Sequence, residues 1–281
     1  MTVGSFSEFQ SFGDLGCDLA VFRLSNSSLM VVLIRAIMAI DDVAPERSVP
    51  EMMVAVKCNG DTVHHPDEET DLPCGSPEAK NEMLVLSHPL KYVWTYWYLN
   101  DQRDKSWEKR LKVVSDFSTV EEFWALYINI RPPSLLPTAC DYSVFKKDIQ
   151  PMWEVPENAK GGRWLITIDK SRHHDLLDVI WLEVLLAVVG QQFGKYTADI
   201  CGVVVNIRNK GSKISIWTTD CNNDESNCKI GEILKQKLMN PAIDSKIQRP
   251  IFDVLRYEDH QEVQNKSSSS VKAKHIITAS D

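Results

Sequence analysis

Strand-like patterns of hydrophobic residues are concentrated in the part of the chain that follows residue 85. Residues 90–99 and 163–168 are short, largely apolar or aromatic runs, as expected of strands. Residues 202–208 and 213–218 read as the two strands of a hairpin, with side chains alternating between its two faces, and are joined by Asn-Lys-Gly-Ser, a loop that suits a bulged turn. These patterns predict at least four strands.

Helical spacing marks three further stretches. The first opens with a Ser-Thr-Val-Glu capping box at 118–121. The second is capped by Asp175 and runs to about residue 193, and the third covers residues 230–239. Helices inserted between hairpins favour an α+β fold over a doubly wound parallel sheet.

Charge and composition divide the chain into an acidic extension, residues 1–84, and a domain, residues 85–281. The extension holds 14 acidic and 5 basic side chains, and the domain has a net charge of +1. Residues 44–82 of the extension are rich in Pro, Asp, Glu, Ser and Gly, which predicts a disordered linker, and the serine-rich composition around 265–274 predicts a mobile loop. The apolar run 29–40 contains Arg35 and is too short to cross a membrane. It is either an interaction segment or a poorly defined part of the extension.

The titratable residues argue against catalysis. Seven cysteines without a Cys-x-x-Cys pair indicate reduced thiols, and therefore the cytoplasm or the nucleus. The adjacent His173 and His174 have no partner at metal-ligand spacing, and no phosphate-binding glycine loop occurs. We therefore expect no metal, no cofactor and no enzymatic activity.

Two tryptophans in polar surroundings are the strongest indication of a ligand. Trp107 lies in a wholly polar segment, and Trp153 follows Pro-Met and precedes Glu154. Exposed indoles at such positions require a ligand or a partner. A carboxylate beside one of them can accept two parallel hydrogen bonds from guanine. Methylation at the seven position makes guanine cationic, which strengthens stacking between two indoles by about 1–2 kcal/mol per face.

The hairpin offers cations for a phosphate group. If Arg208 and Lys213 form a cross-strand pair, they emerge beside Trp217 on one face. On the hairpin alone, a solvated sheet face with one half-buried tryptophan explains this pattern better than a ligand does.

Taken together, these residues resemble the eukaryotic translation initiation factor 4E family, and its main initiation class in particular. The matching runs cover residues 85–281 in order: His-Pro-Leu at 88–90, Lys-Ser-Trp at 105–107, Val-Glu-Glu-Phe-Trp-Ala-Leu-Tyr at 120–127, Asp-Tyr-Ser-Val-Phe at 141–145, Pro-Met-Trp-Glu at 151–154, Gly-Gly-Arg-Trp-Leu-Ile at 161–166, Trp-Leu-Glu at 181–183, Cys-Gly-Val-Val-Val-Asn-Ile-Arg at 201–208 and Ile-Trp-Thr-Thr at 216–219. The resemblance implies a curved antiparallel sheet of about eight strands, backed on its convex side by three helices, with the 7-methylguanosine cap of mRNA in the concave face.

The resemblance also implies two sets of binding residues. The cap would contact Trp107, Trp153, Glu154, Arg208, Lys210, Lys213 and Trp217. A 4G-type scaffold, or a 4E-binding protein with a Tyr-x4-Leu-apolar helix, would contact His88, Pro89, Val120, Trp124, Leu182, Glu183 and Leu186, although Trp124 suits the core equally well. Trp94, Trp97, Trp164 and Trp181 are expected in the core. Ser269 is a candidate phosphorylation site, although a merely flexible serine tract explains this position at least as well.

Two other functions remain open. A cap-binding repressor would hold the cap without productively recruiting the scaffold, and a plain protein-interaction module would not bind the cap at all.

Overall fold

The computed structural model describes residues 87–241, 250–265 and 271–280 of the chain. In this part, eight strands form one antiparallel sheet in the order β2-β1-β3-β5-β6-β4-β7-β8. The strands are β1 (Pro89–Leu99), β2 (Leu111–Thr119), β3 (Asp141–Lys146), β4 (Gly162–Ile168), β5 (Ile200–Asn206), β6 (Ser212–Thr218), β7 (Val254–Asp259) and β8 (His275–Thr278). The predicted extension, the apolar run 29–40 and Ser269 lie outside the described residues.

Three long helices accompany the sheet in the described part of the chain: α2 (Val120–Asn129), α4 (His173–Val189) and α5 (Asp224–Met239). Three short ones lie in the connections: α1 (Trp107–Arg110), α3 (Pro156–Ala159) and α6 (His260–Gln264). The predicted α+β class and the curved antiparallel sheet with three principal helices are confirmed. None of the helices in the described ranges is long and apolar enough to cross a bilayer.

The main core lies between the sheet and the long helices. Alternate residues of the central strands, such as Val203, Val205, Ile214 and Ile216, are fully buried there against the helices. Helix α4 contributes buried apolar residues on most of its circumference, because it packs against the sheet, against α5 and against the turn Pro133–Leu135. This explains the apolar composition that the sequence shows for this helix.

The opposite surface of the sheet, which we term the open face, is determined by strand register. Antiparallel neighbours pair residues that point to the same side. One such cross-strand row therefore runs through Trp97, Ser143, Val204, Ser215, Leu165 and Arg256. A smaller apolar cluster covers part of the open face and contains Phe145, Cys201, Val204 and Trp217.

Helix α5 packs closely against the sheet at Gly231. The Trp164 indole N–H donates to the Asn227 carbonyl at 2.8 Å, and a Cβ on Gly231 would lie 2.3 Å from the same indole. Since that distance is far inside van der Waals contact, the helix can pack this closely only with glycine at position 231.

Both helix starts that we predicted from side-chain caps are wrong in position. The capping box is Thr119 with Glu122, one residue later than predicted, and Glu121 bonds to His88 instead. Helix α4 starts at His173, directly after the turn Lys170–Arg172, so Asp175 lies inside its first turn.

Two helix lengths also differ from the prediction. Helix α4 ends at Val189. Gly190 follows as its C-cap, and Gln191, whose φ is 55°, turns the chain away from the helix axis. Helix α5 starts six residues earlier than predicted, where the Asn223 side chain accepts the Ser226 N–H at 3.2 Å. Its polar first turn carries no apolar periodicity and was therefore not recognisable from hydrophobic pattern.

Three of the four tryptophans expected in the core are completely buried, namely Trp94, Trp164 and Trp181. Trp97 is only half-buried, because its position in the register places it on the open face.

Candidate functional site

A cavity of about 1130 Å³ lies on the open face. Its lining includes the seven residues predicted to contact the cap: Trp107, Trp153, Glu154, Arg208, Lys210, Lys213 and Trp217. Residues from the β1–β2 connection, the segment after β3 and the β5–β6 hairpin therefore meet at one place, although more than 100 positions separate the first from the last in the chain.

Trp107 lies in the connection between β1 and β2, which hydrogen bonds between Arg110 and Asn100 stabilise. It is the first residue of α1 and is half-buried. The guanidinium of Arg110 donates to the Asn100 carbonyl at 2.9 and 2.6 Å, and the Asn100 N–H donates to the Arg110 carbonyl. These bonds close the base of the loop and hold the indole at the cavity wall.

Trp153 lies on a short loop that the side chain of Asn158 stabilises through hydrogen bonds to the backbone. The buried Asn158 amide donates to the carbonyls of Gln150 at 2.9 Å and Met152 at 2.7 Å, on either side of the turn that leads into Trp153. Trp153 is half-buried, and the Arg163 guanidinium lies 5.8 Å from the centre of its ring. The indole is thus fixed on a short loop rather than on a strand.

Glu154 is exposed and has no hydrogen-bond or ion-pair partner among the described residues. A carboxylate next to an aromatic wall, with both oxygens free, can accept two hydrogen bonds from one ligand.

The expected cross-strand pairing of Arg208 with Lys213 is wrong. Lys213 pairs with Asn206, and Arg208 lies beyond the end of β5 in the turn. Arg208 is instead positioned by Asp141, which accepts from both terminal nitrogens of the guanidinium, at 3.0 Å for Nη2 to Oδ2. The two cations still line the same cavity, at the end of β5, which lies beside Asp141 at the start of β3.

Trp217 lies on the floor of the cavity and is only 4% exposed. Its ring packs edge-on against Phe145, at 5.4 Å between centroids, and lies 6.0 Å from Trp153. It is more deeply buried than the half-buried tryptophan considered from the hairpin pattern alone.

Two cations of the cavity were missed. Arg163 lies opposite Trp217 in the β4–β6 register and donates to Glu258 at 2.9 Å, and Arg103 precedes Trp107 in the same loop. Strand alternation with the buried Trp164 was the signal that could have placed Arg163 on the open face. A further missed residue is the buried His260, which packs against both Trp153 and Trp217.

A family model described as eukaryotic initiation factor 4E matches residues 89–275. The chain belongs to this family. It is 61% identical over 194 residues to eukaryotic translation initiation factor 4E-1 of Caenorhabditis elegans, a match that covers 69% of this chain and 91% of that relative. It is 41% identical over 216 residues to human eukaryotic translation initiation factor 4E, covering 77% of this chain and 95% of the human protein.

Solved structures agree with this assignment. Ascaris suum eIF4E-3 in complex with an m2,2,7G cap is 45% identical with a TM-score of 0.60, and the match covers 68% of this chain and 99% of that one. Caenorhabditis elegans eIF4E-3 with the 4E-binding protein Mextli and a cap analog is 44% identical with a TM-score of 0.59, covering 68% and 100%.

The second residue set predicted for this 4E-family chain lies around α2 and α4. His88 and Pro89 are accessible at the start of β1, and the His88 ring lies 2.6 Å from Glu121. Burial raises the pKa of Glu121, but hydrogen bonds from His88 outweigh it and the pKa ends below its usual value.

The remaining members of this set are mostly covered in the free protein. Val120, Glu183 and Leu186 are at most 2% exposed, whereas Trp124 and Leu182 show 7% and 8% of their surface. Trp124 packs edge-on against Phe123 at 5.1 Å between centroids, as the core interpretation predicts. Larger apolar surface on this side, which the sequence did not single out, belongs to Ile128 and Leu135.

Proposed function

We propose that the cavity on the open face binds the 7-methylguanosine 5′ cap of mRNA, with the base between Trp107 and Trp153. Membership of the 4E family makes this chain a cap-binding translation initiation factor and not an enzyme. The observation that carries the assignment of residues is the convergence of two half-buried indoles, an unpaired carboxylate and several cations in one cavity.

Each feature of the cavity has a matching feature in the ligand. Two indoles offer stacking faces to a purine, worth about 1–3 kcal/mol per stacked base. The free oxygens of Glu154 suit the ring N–H and the amino group of guanine, and its negative charge suits the cationic methylated base. Arg208, Lys210 and Lys213 provide positive charge for the phosphates that follow.

Intrinsic fluorescence tests this proposal directly. Titration of the full chain with a 7-methylguanosine triphosphate cap analogue should quench tryptophan emission, because the ligand stacks on indoles. We expect Trp107→Ala to weaken binding by about ten- to a hundredfold, the loss of one stacking partner. Lys109→Ala, on the same short helix but outside the cavity, is the matched control.

A second pair of variants tests whether Glu154 recognises the guanine base. Glu154→Gln keeps the shape but replaces one acceptor by a donor, so it should weaken binding about tenfold or more. Glu157→Gln removes an exposed carboxylate three residues away and should leave affinity unchanged. Absence of quenching in the unmodified chain would refute the proposal. Because the Ascaris protein has been solved with m7G and with m2,2,7G caps, both analogues belong in the titration.

Family membership also gives the chain its protein partners, and we propose that they bind on the helical side. Solved relatives hold a 4E-binding protein and a cap compound together. A Tyr-x4-Leu-apolar helix would rest on the accessible edges of His88, Pro89, Trp124 and Leu182, with Val120, Glu183 and Leu186 forming the layer beneath them.

A peptide-binding measurement tests this second site. Trp124→Ala should weaken binding of a scaffold-type peptide at least tenfold while cap affinity changes less than twofold. Equal peptide affinity in the variant would contradict the assignment.

The repressor alternative is not favoured, because the similar relatives are initiation factors. Residence in the cytoplasm, or also in the nucleus, and phosphorylation at Ser269 remain predictions.

A further inference from the structure

A buried histidine lies directly behind the cap cavity. His260 is the first residue of α6, follows β7 and is completely buried. Its ring is nearly parallel to that of Trp153, with an interplanar angle of 10° and 6.0 Å between centroids, and lies 4.4 Å from Trp217. One imidazole therefore connects the half-buried indole of the wall with the indole of the floor.

Hydrogen bonds connect His260 to the segment that follows Trp153. Nδ1 lies 3.0 Å from the Asn158 carbonyl, and because a carbonyl oxygen only accepts, Nδ1 carries the proton. The His260 backbone N–H donates to the Gly161 carbonyl at 3.1 Å. Asn158 in turn donates its side-chain amide to the carbonyls of Gln150 and Met152, so the chain of contacts extends from His260 to the residues that directly precede Trp153.

The surroundings of His260 hold the ring in its neutral form. Nε2 is buried and has no hydrogen-bond partner among the described residues, so a second proton there would be an unsatisfied buried donor. Burial lowers the pKa of His260 to about 4, and the positive charge of Arg163 adds to this, against the opposing effects of the Asn158 carbonyl and Asp259. A neutral ring can stack on an indole without adding charge behind the site of a cationic base.

We propose that His260 is a positioning residue of the cap site, which holds the ring of Trp153 in the orientation that receives the base. It acts through Trp153 and the Asn158 loop and does not itself line the cavity. This inference rests on the proposed cap-binding function, since it explains how one of the two stacking indoles is kept in place on a short loop.

The test separates stacking from hydrogen bonding in the full chain. His260→Phe keeps an aromatic ring but removes the donor, His260→Asn keeps a donor near Nδ1 but removes the ring, and His260→Ala removes both. We expect the alanine variant to bind the 7-methylguanosine triphosphate analogue about tenfold more weakly, with the other two in between. His275→Ala is the control, because His275 bonds to Asp224 away from the cavity.

A spectroscopic readout distinguishes positioning from a loss of stability. The indole N–H resonance of Trp153, assigned with Trp153→Phe, should shift and broaden in His260→Ala without ligand, whereas that of Trp107 should stay in place. Unchanged affinity together with an unchanged Trp153 resonance would overturn the inference. If the unmodified chain failed to bind the cap analogue, the proposed function would fall, and the resonance of Trp153 would still decide whether His260 positions it.

Discussion

At the scale of single residues, the cations of the cavity differ in whether a carboxylate of the protein pairs with them. Arg208 is held by the nearly buried carboxylate of Asp141, whereas Lys213 has no anionic partner in the described part of the chain. A paired guanidinium is already oriented before a phosphate arrives, which reduces the entropy lost on binding. The same pairing makes loss of the arginine more costly, because it leaves a carboxylate uncompensated.

Arg208→Ala should therefore weaken binding of a cap triphosphate about tenfold more than Lys213→Ala does. The first variant removes a cation and also exposes the phosphates to the charge of Asp141. Adding Asp141→Asn to Arg208→Ala should recover part of the lost affinity, as measured by fluorescence titration. Equal losses in the two single variants would show that Asp141 has no influence on the phosphates.

His260 also gives the folded domain a dependence on pH. Its pKa is lowered by burial from 6.5 to about 4, so between these values the unfolded chain binds a proton that the folded chain does not. Stability should therefore fall as the pH decreases from 6.5 to 4, by about 3 kcal/mol from this residue. Urea unfolding at several pH values should show a shallower decline for His260→Phe than for the unmodified chain. Parallel declines would contradict the assignment to this histidine.

At the scale of elements, the rigid parts of the fold carry the floor of the cavity and the connections carry its walls. Trp217 and Lys213 lie on β6 in the middle of the sheet, while Trp107 and Trp153 lie in connections closed by Arg110 and Asn158. Helix α5 stabilises the sheet from behind, through the contact between Trp164 and Gly231.

Gly231→Ala should consequently destabilise the domain by about 1–3 kcal/mol, since a methyl group cannot fit against Trp164 without moving the helix. Gln236→Ala, at an exposed position of the same helix, is the control for helix propensity and should change stability by less than about 0.5 kcal/mol. Thermal unfolding monitored by circular dichroism measures both. An unchanged melting temperature in Gly231→Ala would show that the contact is not tight.

At the scale of the whole molecule, the formal net charge of −8 does not favour an RNA ligand. Binding must therefore depend on the local group of cations in the cavity, of which Arg163 and Arg208 are paired with carboxylates. The cavity proposed for the cap and the surface proposed for the protein partner lie on opposite sides of the sheet, so we expect that one ligand does not obstruct the other.

This distribution of charge predicts a limited dependence on salt. Raising the salt concentration should weaken binding of the cap triphosphate, but should leave binding of 7-methylguanosine itself nearly unchanged, because the nucleoside has no phosphates for the cations. Titrations of both ligands over a range of salt concentrations measure the two slopes. The same slope for both would mean that the phosphates do not reach Arg208 and Lys213.

The sequence by itself determined the class of fold and the types of residue in the cavity. Period-two alternation placed Val203 and Val205 opposite Val204 and Asn206, and the polar surroundings of Trp107 and Trp153 marked them as residues for a ligand. Such patterns depend on local spacing and on the separation of apolar from polar positions, both of which can be read from one chain.

Only the tertiary structure decided which distant residues meet. Arg208 is positioned by Asp141, 67 residues away, and not by pairing with Lys213, while His260 supports Trp153 although 107 positions separate them in the sequence. Contacts of this kind depend on strand order and on how the connections fold over the sheet. No local pattern encodes them, because each partner alone is compatible with an ordinary exposed or buried position.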